Sequence, residues 1–101
     1  MKIEVLYVMD CPNFQPALER IAKVLVSEAL SADIDKVLVN SVADAKALNF
    51  PGSPTIRVNG TDVEPEHKNA PGLACRLYAN SGGVPSEEML RLALSRAKEG
   101  L

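Results

Sequence analysis

The stretch FPGSPTIRVNG, residues Phe50–Gly60, contains the signals that decide the fold. Within it, Thr55–Val58 has the β-branched, alternating pattern of a short strand that begins directly after Pro54. Asn59–Gly60 then favours a type I′ turn, because both central residues of that turn need a positive φ. Thr61–Val63 follows as the returning strand. The stretch therefore predicts a β-hairpin that is entered from a proline.

Two strands and two helices are predicted upstream of this hairpin. Lys2–Met9 is a nearly continuous apolar run, which is typical of a central strand covered on both faces. Asp10–Asn13 then breaks the strand. The apolar stripe of a long helix follows at intervals of three and four residues: Phe14, Leu18, Ile21, Leu25 and Ala29. We expect Lys36–Asn40 to be a short buried strand, and Ser41 to cap a brief helix that runs through Leu48.

The remainder of the chain predicts one irregular stretch and one helix. Glu64–Pro85 is rich in proline, glycine, asparagine and serine, and we expect a helical turn within it near Leu73–Ala79. Ser86 is placed to cap the last helix, and Gly100 suits the end of that helix. The predicted order of elements is strand, helix, strand, helix, strand, strand, helix, which belongs to the α/β class.

Composition and charge limit the classes of function. A chain of 101 residues that is 47% hydrophobic predicts one domain, residues 1–101, with a real core. The net charge of -2, with both signs interspersed, gives no electrostatic footprint for nucleic acid. We see neither a secretory signal pattern nor an apolar run near the roughly 18 residues of a membrane span. We therefore expect a cytoplasmic domain with no nucleic-acid or membrane partner; its oligomeric state stays open.

Three motifs carry a resemblance to a known group of proteins: Cys11–Asn13, Phe50–Gly60 and Cys75–Tyr78. With the order of elements, they make the chain similar, nearly end to end, to small thioredoxin-like proteins often labelled alkylmercury-lyase-like. The resemblance implies a thioredoxin fold, in which helices flank a central four-stranded mixed sheet. It also implies that the Ser53–Pro54 peptide bond is cis and lies beside Cys11. The label does not imply a lyase, since we find no arrangement of cooperating cysteines and an acid for that chemistry.

The chain departs from thioredoxin-like oxidoreductases at Phe14. Those proteins carry a Cys-x-x-Cys pair, whereas the fourth residue of this turn is phenylalanine. Cys11 therefore lacks the usual local disulfide partner, and the resemblance supports the fold better than it supports a dithiol activity. We expect Phe14 to pack into the core as the first member of the helix stripe, and Cys11 to be at least partly accessible.

Cys11 is the candidate catalytic residue. Reactive groups in α/β sheets collect where a parallel strand ends, and a helix N-terminus favours a thiolate within about its first turn. With Cys11 as the N-cap, Pro16 would remove a helical hydrogen bond; with Asn13 as the N-cap it removes none, so we favour Asn13. A nearby Asp10 carboxylate would oppose the thiolate. The alternative is an inert thiol on an inherited fold.

Cys75 and His67 have more than one interpretation. Cys75 is expected to be a buried structural thiol, and a Cys11–Cys75 disulfide is the alternative because its loop emerges at the Cys11 end of the sheet. His67 lies among charges and is expected to be solvated. Its alternative is a soft-metal site with Cys11, Cys75 and Glu66, although the spacing does not demand one.

Two classes of function follow from this sequence. In the first, Cys11 exchanges as a monothiol with a protein or small-molecule disulfide, and Cys75 is a second candidate for catalysis. Glutathione is the candidate co-substrate, and we expect no other cofactor and no metal. In the second, the chain is a redox-silent binding module, and thiolate binding of a soft metal is a third alternative. The residues expected to contact the substrate are Pro12, Asn13, Ser53 and Pro54.

Overall fold

The computed structural model describes residues 1–99, and its elements follow the predicted order. They are β1 (Lys2–Tyr7), α1 (Phe14–Ser27), β2 (Asp33–Leu38), α2 (Val42–Ala47), β3 (Thr55–Val58), β4 (Thr61–Asp62) and α3 (Glu87–Glu99). The chain is therefore α/β, as predicted. The helix end that we predicted at Gly100 lies outside the described residues.

The four strands form one mixed sheet in the order β2-β1-β3-β4. β1 pairs in parallel with β2 and antiparallel with β3, and β3 pairs antiparallel with β4. Leu6 lies opposite Thr55 in the β1–β3 ladder. This register brings the residues before β3, Ser53 and Pro54, to the C-terminal end of β1.

The hairpin between β3 and β4 has the predicted turn. Asn59 has a φ of 50° and Gly60 a φ of 87°, so both central residues occupy the positive-φ region that a type I′ turn requires. β4 ends at Asp62, one residue earlier than predicted, and Val63 is buried just beyond it.

Helices cover both faces of the sheet. Ile3 and Val5 of β1 face one way and join a cluster with the buried residues of α1 and α3. Leu6 faces the opposite way and packs with Ala45 of α2 and with Phe50. β1 is thus the central strand covered on both faces that its apolar run predicts.

Two elements end or begin elsewhere than predicted. β2 runs over Asp33–Leu38 and is mostly exposed, instead of being a buried strand over Lys36–Asn40. The reason is its place at the sheet edge, where Val37 packs half-buried against the core and Val39, just past the strand, is buried. α1 ends at Ser27, so Ala29 of the expected stripe lies beyond the helix, exposed and with a φ of 52°.

The predicted serine caps are both confirmed. The amide of Asp44 donates to Ser41 Oγ at the start of α2, and the amide of Met89 donates to Ser86 Oγ at the start of α3, each at 3.1 Å. The helices are short: among residues 1–99 we find none long and apolar enough to cross a membrane.

Candidate functional site

Cys11 lies in the turn between β1 and α1. Its amide donates to Val8 O at 3.3 Å, and its own carbonyl accepts from the amide of Phe14 at 3.3 Å. Asp10 reaches this turn with a φ of 60° and is exposed. Cys11 itself is half-buried and its thiol is free, so the prediction that it is partly accessible is confirmed.

Asn13 is the N-cap of α1, as we favoured. Pro16 consequently falls at the third helical position and costs no helical hydrogen bond. Asn13 has helical backbone angles, however, and within residues 1–99 its side chain makes no capping hydrogen bond. Its carboxamide lies instead against Gly83, so closely that a Cβ there would overlap it. Cys11 therefore lies two residues outside α1, where the helix dipole acts on it less.

Phe14 is the fourth residue of the turn, counted from Cys11. Its ring stacks on Tyr7, with 3.8 Å between the centroids and 18° between the planes. It also packs on the core cluster that contains Ile21 and Leu25, while staying partly exposed. Phe14 is thus a structural residue packed on the core, as predicted.

Ser53 and Pro54 lie at the end of β1 from which the Cys11 turn begins. The peptide bond between them is cis, as predicted. Ser53 Oγ accepts a hydrogen bond of 3.1 Å from the amide of Val8, the same residue whose carbonyl receives the Cys11 amide. Both residues are fully buried. They therefore lie in the interior at the end of β1, whereas Pro12 is exposed and Asn13 half-buried at the surface.

An extended segment of the chain, residues 74–78, covers the outer edge of Ser53. The amide of Ser53 donates to Ala74 O and the amide of Arg76 donates to Ser53 O, each at 3.0 Å. Cys75 thereby pairs with Ser53 in a parallel bridge. The side chains from Cys75 to Tyr78 alternate between surface and interior, which is typical of an extended chain. The helical turn predicted near Leu73–Ala79 is therefore wrong.

The alternation in this segment runs opposite to hydrophobicity. Cys75 is exposed with a free thiol, and Leu77 is 72% exposed, whereas Arg76 and Tyr78 are buried. The expectation that Cys75 is a buried structural thiol is therefore wrong. The physical reason is that the interior beside it offers Arg76 an acidic partner.

Arg76 is a buried residue of this region that the sequence patterns did not single out. Its guanidinium is fully buried and donates to both carboxylate oxygens of Asp62 at 2.7 Å and to Thr55 Oγ1 at 3.1 Å. Glu64 lies 3.8 Å away, and the guanidinium carbon lies 4.3 Å from the centre of the Tyr78 ring. Burial alone would lower the pKa of Arg76, but the hydrogen bonds to Asp62 and the two carboxylates raise it.

Tyr78 links this ion pair to the cis-proline. Its hydroxyl donates a short hydrogen bond to Pro54 O. Burial raises the pKa of Tyr78 well above that of an exposed tyrosine, and the charge of Arg76 opposes that rise only in part. Arg76 and Tyr78 together therefore hold Ser53 and Pro54 through both backbone and side-chain contacts. In the sequence, the only signal for Arg76 and Tyr78 was the motif Cys75–Tyr78. The polarity pattern of this motif suggests that Arg76 is exposed and that Cys75 and Leu77 are buried, which is the opposite of the observed orientation.

His67 lies against the Asp62 carboxylate and is not solvated as expected. Its Nε2 lies 3.4 Å from Asp62 Oδ2, and its side chain is only 23% exposed. The soft-metal arrangement with Cys11, Cys75 and Glu66 finds no support, because residues 1–99 contain no group of three or more potential ligands placed to hold a metal.

Two clefts lie on the β4 and α3 side of the described residues. One of about 260 Å³ is bounded by Asp62, Ala93 and Arg96, and a second of about 510 Å³ by Glu64, Met89 and Arg96. Neither reaches Cys11 or Cys75.

Comparisons with known proteins add no relative to this description. No family model, no curated protein and no solved structure matches the chain.

Proposed function

We propose that this chain is a thioredoxin-like domain in which Cys11 performs thiol–disulfide exchange as a monothiol. Support for the fold comes from the sheet order β2-β1-β3-β4, in which the first two strands are parallel and the last two antiparallel. The cis Ser53–Pro54 bond directly before β3 is the second support. The motif resemblance implies a four-stranded mixed sheet and this cis bond.

The observation that carries the proposal is the position of the Cys11 thiol. It is free and half-buried, and it follows the central strand at the C-terminal edge of the parallel pair. Reactive groups in α/β sheets collect at this edge. Phe14 occupies the position where thioredoxin-like oxidoreductases carry their second cysteine. The turn therefore offers a single thiol for the exchange.

The substrate class follows from the chemistry of a single, partly accessible thiol. The Cys11 thiolate attacks one sulfur of a disulfide such as oxidised glutathione. A bond forms between Cys11 Sγ and that sulfur, the original S–S bond breaks, and the second half leaves as a thiolate. Glutathione is therefore the proposed co-substrate, and a protein disulfide would react in the same way.

The residues around Cys11 form two groups: those at the surface, and those that are buried and would position the turn. Pro12 and Asn13 flank Cys11 at the surface and are the residues proposed to meet the substrate. Ser53 and Pro54 are buried, so their proposed role is to position the turn through the Ser53 Oγ contact with Val8.

The experiment is the rate of Cys11 alkylation by iodoacetamide as a function of pH, measured in a Cys75→Ser background. Reaction at neutral pH faster than that of an unstructured cysteine peptide, and its loss in Cys11→Ser, is the expected result. A rate equal to or below that of the peptide, together with no glutathione adduct, would reject thiol exchange.

A second candidate, a redox-silent binding module, is favoured by two exposed apolar residues near the same end. Met9 just after β1 is 66% exposed, and Leu77 beside Cys75 is 72% exposed. A partner that covers Met9 and Leu77 would protect Cys11 from alkylation without reacting with it. Rejection of thiol exchange in the alkylation experiment would leave this candidate.

A further inference from the structure

We propose that Asp10 sets the substrate preference of Cys11, which exchanges with disulfides flanked by basic residues in preference to those flanked by acidic ones. This inference rests on the proposed function and adds the chemical class of the partner, a protein disulfide whose cysteine has lysine or arginine beside it. Asp10 directly precedes Cys11 in the turn after β1.

Asp10 is the only charged residue in the stretch that leads into and out of this turn. Residues 5–18 contain no other, and the nearest charges along the chain are Glu4 and Glu19. The surface around Cys11 is therefore supplied by the chain with a single charge, and that charge is negative.

The contacts that hold the turn bring no cation beside Asp10. The residues that other segments contribute to these contacts are all uncharged: Val39, Ser53 and Gly83, which meet Tyr7, Val8 and Asn13 respectively. In residues 69–86, which contain Gly83, the only charged residue is Arg76. Its guanidinium is fully buried and bound to Asp62, so it presents no charge at the surface.

The nearest cation along α1 is Arg20, which is already engaged. It lies about 10 Å along the helix axis from Asn13, and its guanidinium donates to Pro85 O at 3.0 Å. Glu19 beside it carries the opposite charge. Because the two charges are adjacent and opposite, their combined effect at the turn is small compared with that of Asp10.

The Asp10 carboxylate is available to a partner. Asp10 is exposed, and it forms no ion pair with any of residues 1–99. Its φ of 60° is one that glycine and asparagine adopt as readily, so the turn itself does not need a charge at this position. An exposed carboxylate one residue from the thiol attracts a cation beside the attacked sulfur and repels an anion there.

The exchange keeps the monothiol chemistry of the proposed function. Cys11 Sγ bonds to one sulfur of the partner's disulfide, the original S–S bond breaks, and the other sulfur leaves as a thiolate. A glutathione thiolate then attacks the partner's sulfur in the mixed disulfide, which forms a glutathione–partner disulfide and releases the Cys11 thiolate. Glutathione carries more carboxylates than ammonium groups, so this surface does not attract it, and its part in the cycle depends on its thiol alone.

The test measures by intact mass how fast Cys11 forms mixed disulfides with three symmetrical peptide disulfides, in a Cys75→Ser background. The peptides are acetylated tripeptide amides whose central cysteine is flanked by lysines, serines or glutamates. Each rate is divided by that of the same disulfide with a free serine-flanked cysteine peptide, which removes differences between leaving groups. At an ionic strength of about 0.01 M we expect a normalised preference for the lysine over the glutamate disulfide on the order of tenfold, and little preference at about 1 M.

Two variants in the same background assign the preference to one carboxylate. Asp10→Asn should lose most of the preference at low salt, and asparagine suits the φ of 60°. Glu28→Gln is the matched control and should keep the preference, because it removes an exposed carboxylate at the far end of α1, about 20 Å along the axis. Each preference is a ratio measured on one protein, so it does not depend on how reactive the Cys11 thiolate of that variant is.

Other outcomes overturn the inference, and they separate it from the proposed function. Equal normalised rates for the three peptides reject the role of Asp10 but leave thiol exchange at Cys11 in place. A preference that Asp10→Asn retains, or that Glu28→Gln loses to the same extent, rejects that role too, because the selecting charge then lies elsewhere. No mixed disulfide with any of the three peptides rejects thiol exchange itself.

Discussion

The guanidinium of Arg76 binds the carboxylate of Asp62 with two hydrogen bonds of 2.7 Å, one to each oxygen. Such paired bonds fix both the distance and the plane of the two groups. They connect β4 to the extended segment that carries Cys75. They also hold Arg76 where its backbone amide reaches the carbonyl of Ser53. The Arg76–Asp62 ion pair therefore holds the segment that contains the cis Ser53–Pro54 bond. It lies on the buried side of residues 74–78, opposite the exposed Cys75 thiol.

Asp62→Asn should destabilise the protein by about 3 kcal/mol, because it takes away the carboxylate that binds the buried Arg76 and leaves only Glu64, 3.8 Å away. The measurement is the free energy of unfolding in urea. Asp35→Asn is the matched control: Asp35 pairs with Lys2 at 3.2 Å, but its side chain is 53% exposed. It should cost less than about 1 kcal/mol. Equal losses in the two variants would show that the Asp62 pair is no stronger than a surface pair.

Gly52→Ala should destabilise the protein by about 2 kcal/mol or more. Gly52 has a φ of +138°, and a Cβ there would lie 3.0 Å from Arg76 Cβ and 3.1 Å from Ala74 O. Gly72→Ala is the control, since a Cβ at Gly72 meets open space among the described residues. Thermal unfolding of both variants measures the difference, and a Gly52→Ala protein as stable as Gly72→Ala would contradict the close packing of segment 74–78 on Gly52.

Tyr78 should make the fold less stable in alkali. Because burial raises the pKa of Tyr78 in the folded state, its contribution is complete below the unfolded pKa of about 10 and is lost as the pH rises further. We expect its tyrosinate absorbance to appear only together with unfolding. Tyr78→Phe should be about 1 kcal/mol less stable at neutral pH, through loss of the bond to Pro54 O, but should lose less stability in alkali. Ionisation of Tyr78 in a folded protein would contradict its burial.

Phe14→Cys in a Cys75→Ser background should create a local disulfide between Cys11 and the introduced cysteine. The turn already brings the two positions together, since the amide of Phe14 donates to Cys11 O at 3.3 Å. Oxidation should remove two hydrogens from the intact mass, and adding Cys11→Ser should abolish that loss. The reduced variant should be about 1–2 kcal/mol less stable, because the stack on Tyr7 is lost from a partly exposed site. Failure to form the bond would show that the turn does not have the geometry of a dithiol site.

Local signals in the sequence accounted for most of the framework. The type I′ turn at Asn59–Gly60, the caps at Ser41 and Ser86, and the N-cap at Asn13 each depend on residues within a few positions. Such preferences are set by backbone sterics and by nearby hydrogen bonds, so they can be read without the fold. The cis Ser53–Pro54 bond was implied by a motif resemblance and is also present.

The orientation of segment 74–78 was decided by tertiary structure alone. Hydrophobicity favours Cys75 and Leu77 inside and Arg76 outside, and the fold reverses this because Asp62, Thr55 and Ser53 arrive from distant parts of the chain to satisfy Arg76. A buried charge is stable only beside partners that local sequence does not reveal. By itself the sequence determined the α/β order of elements and the turn that carries Cys11. Only the assembled sheet decided that Cys75 stands exposed beside Ser53, because long-range pairing sets which side of an extended segment faces the core.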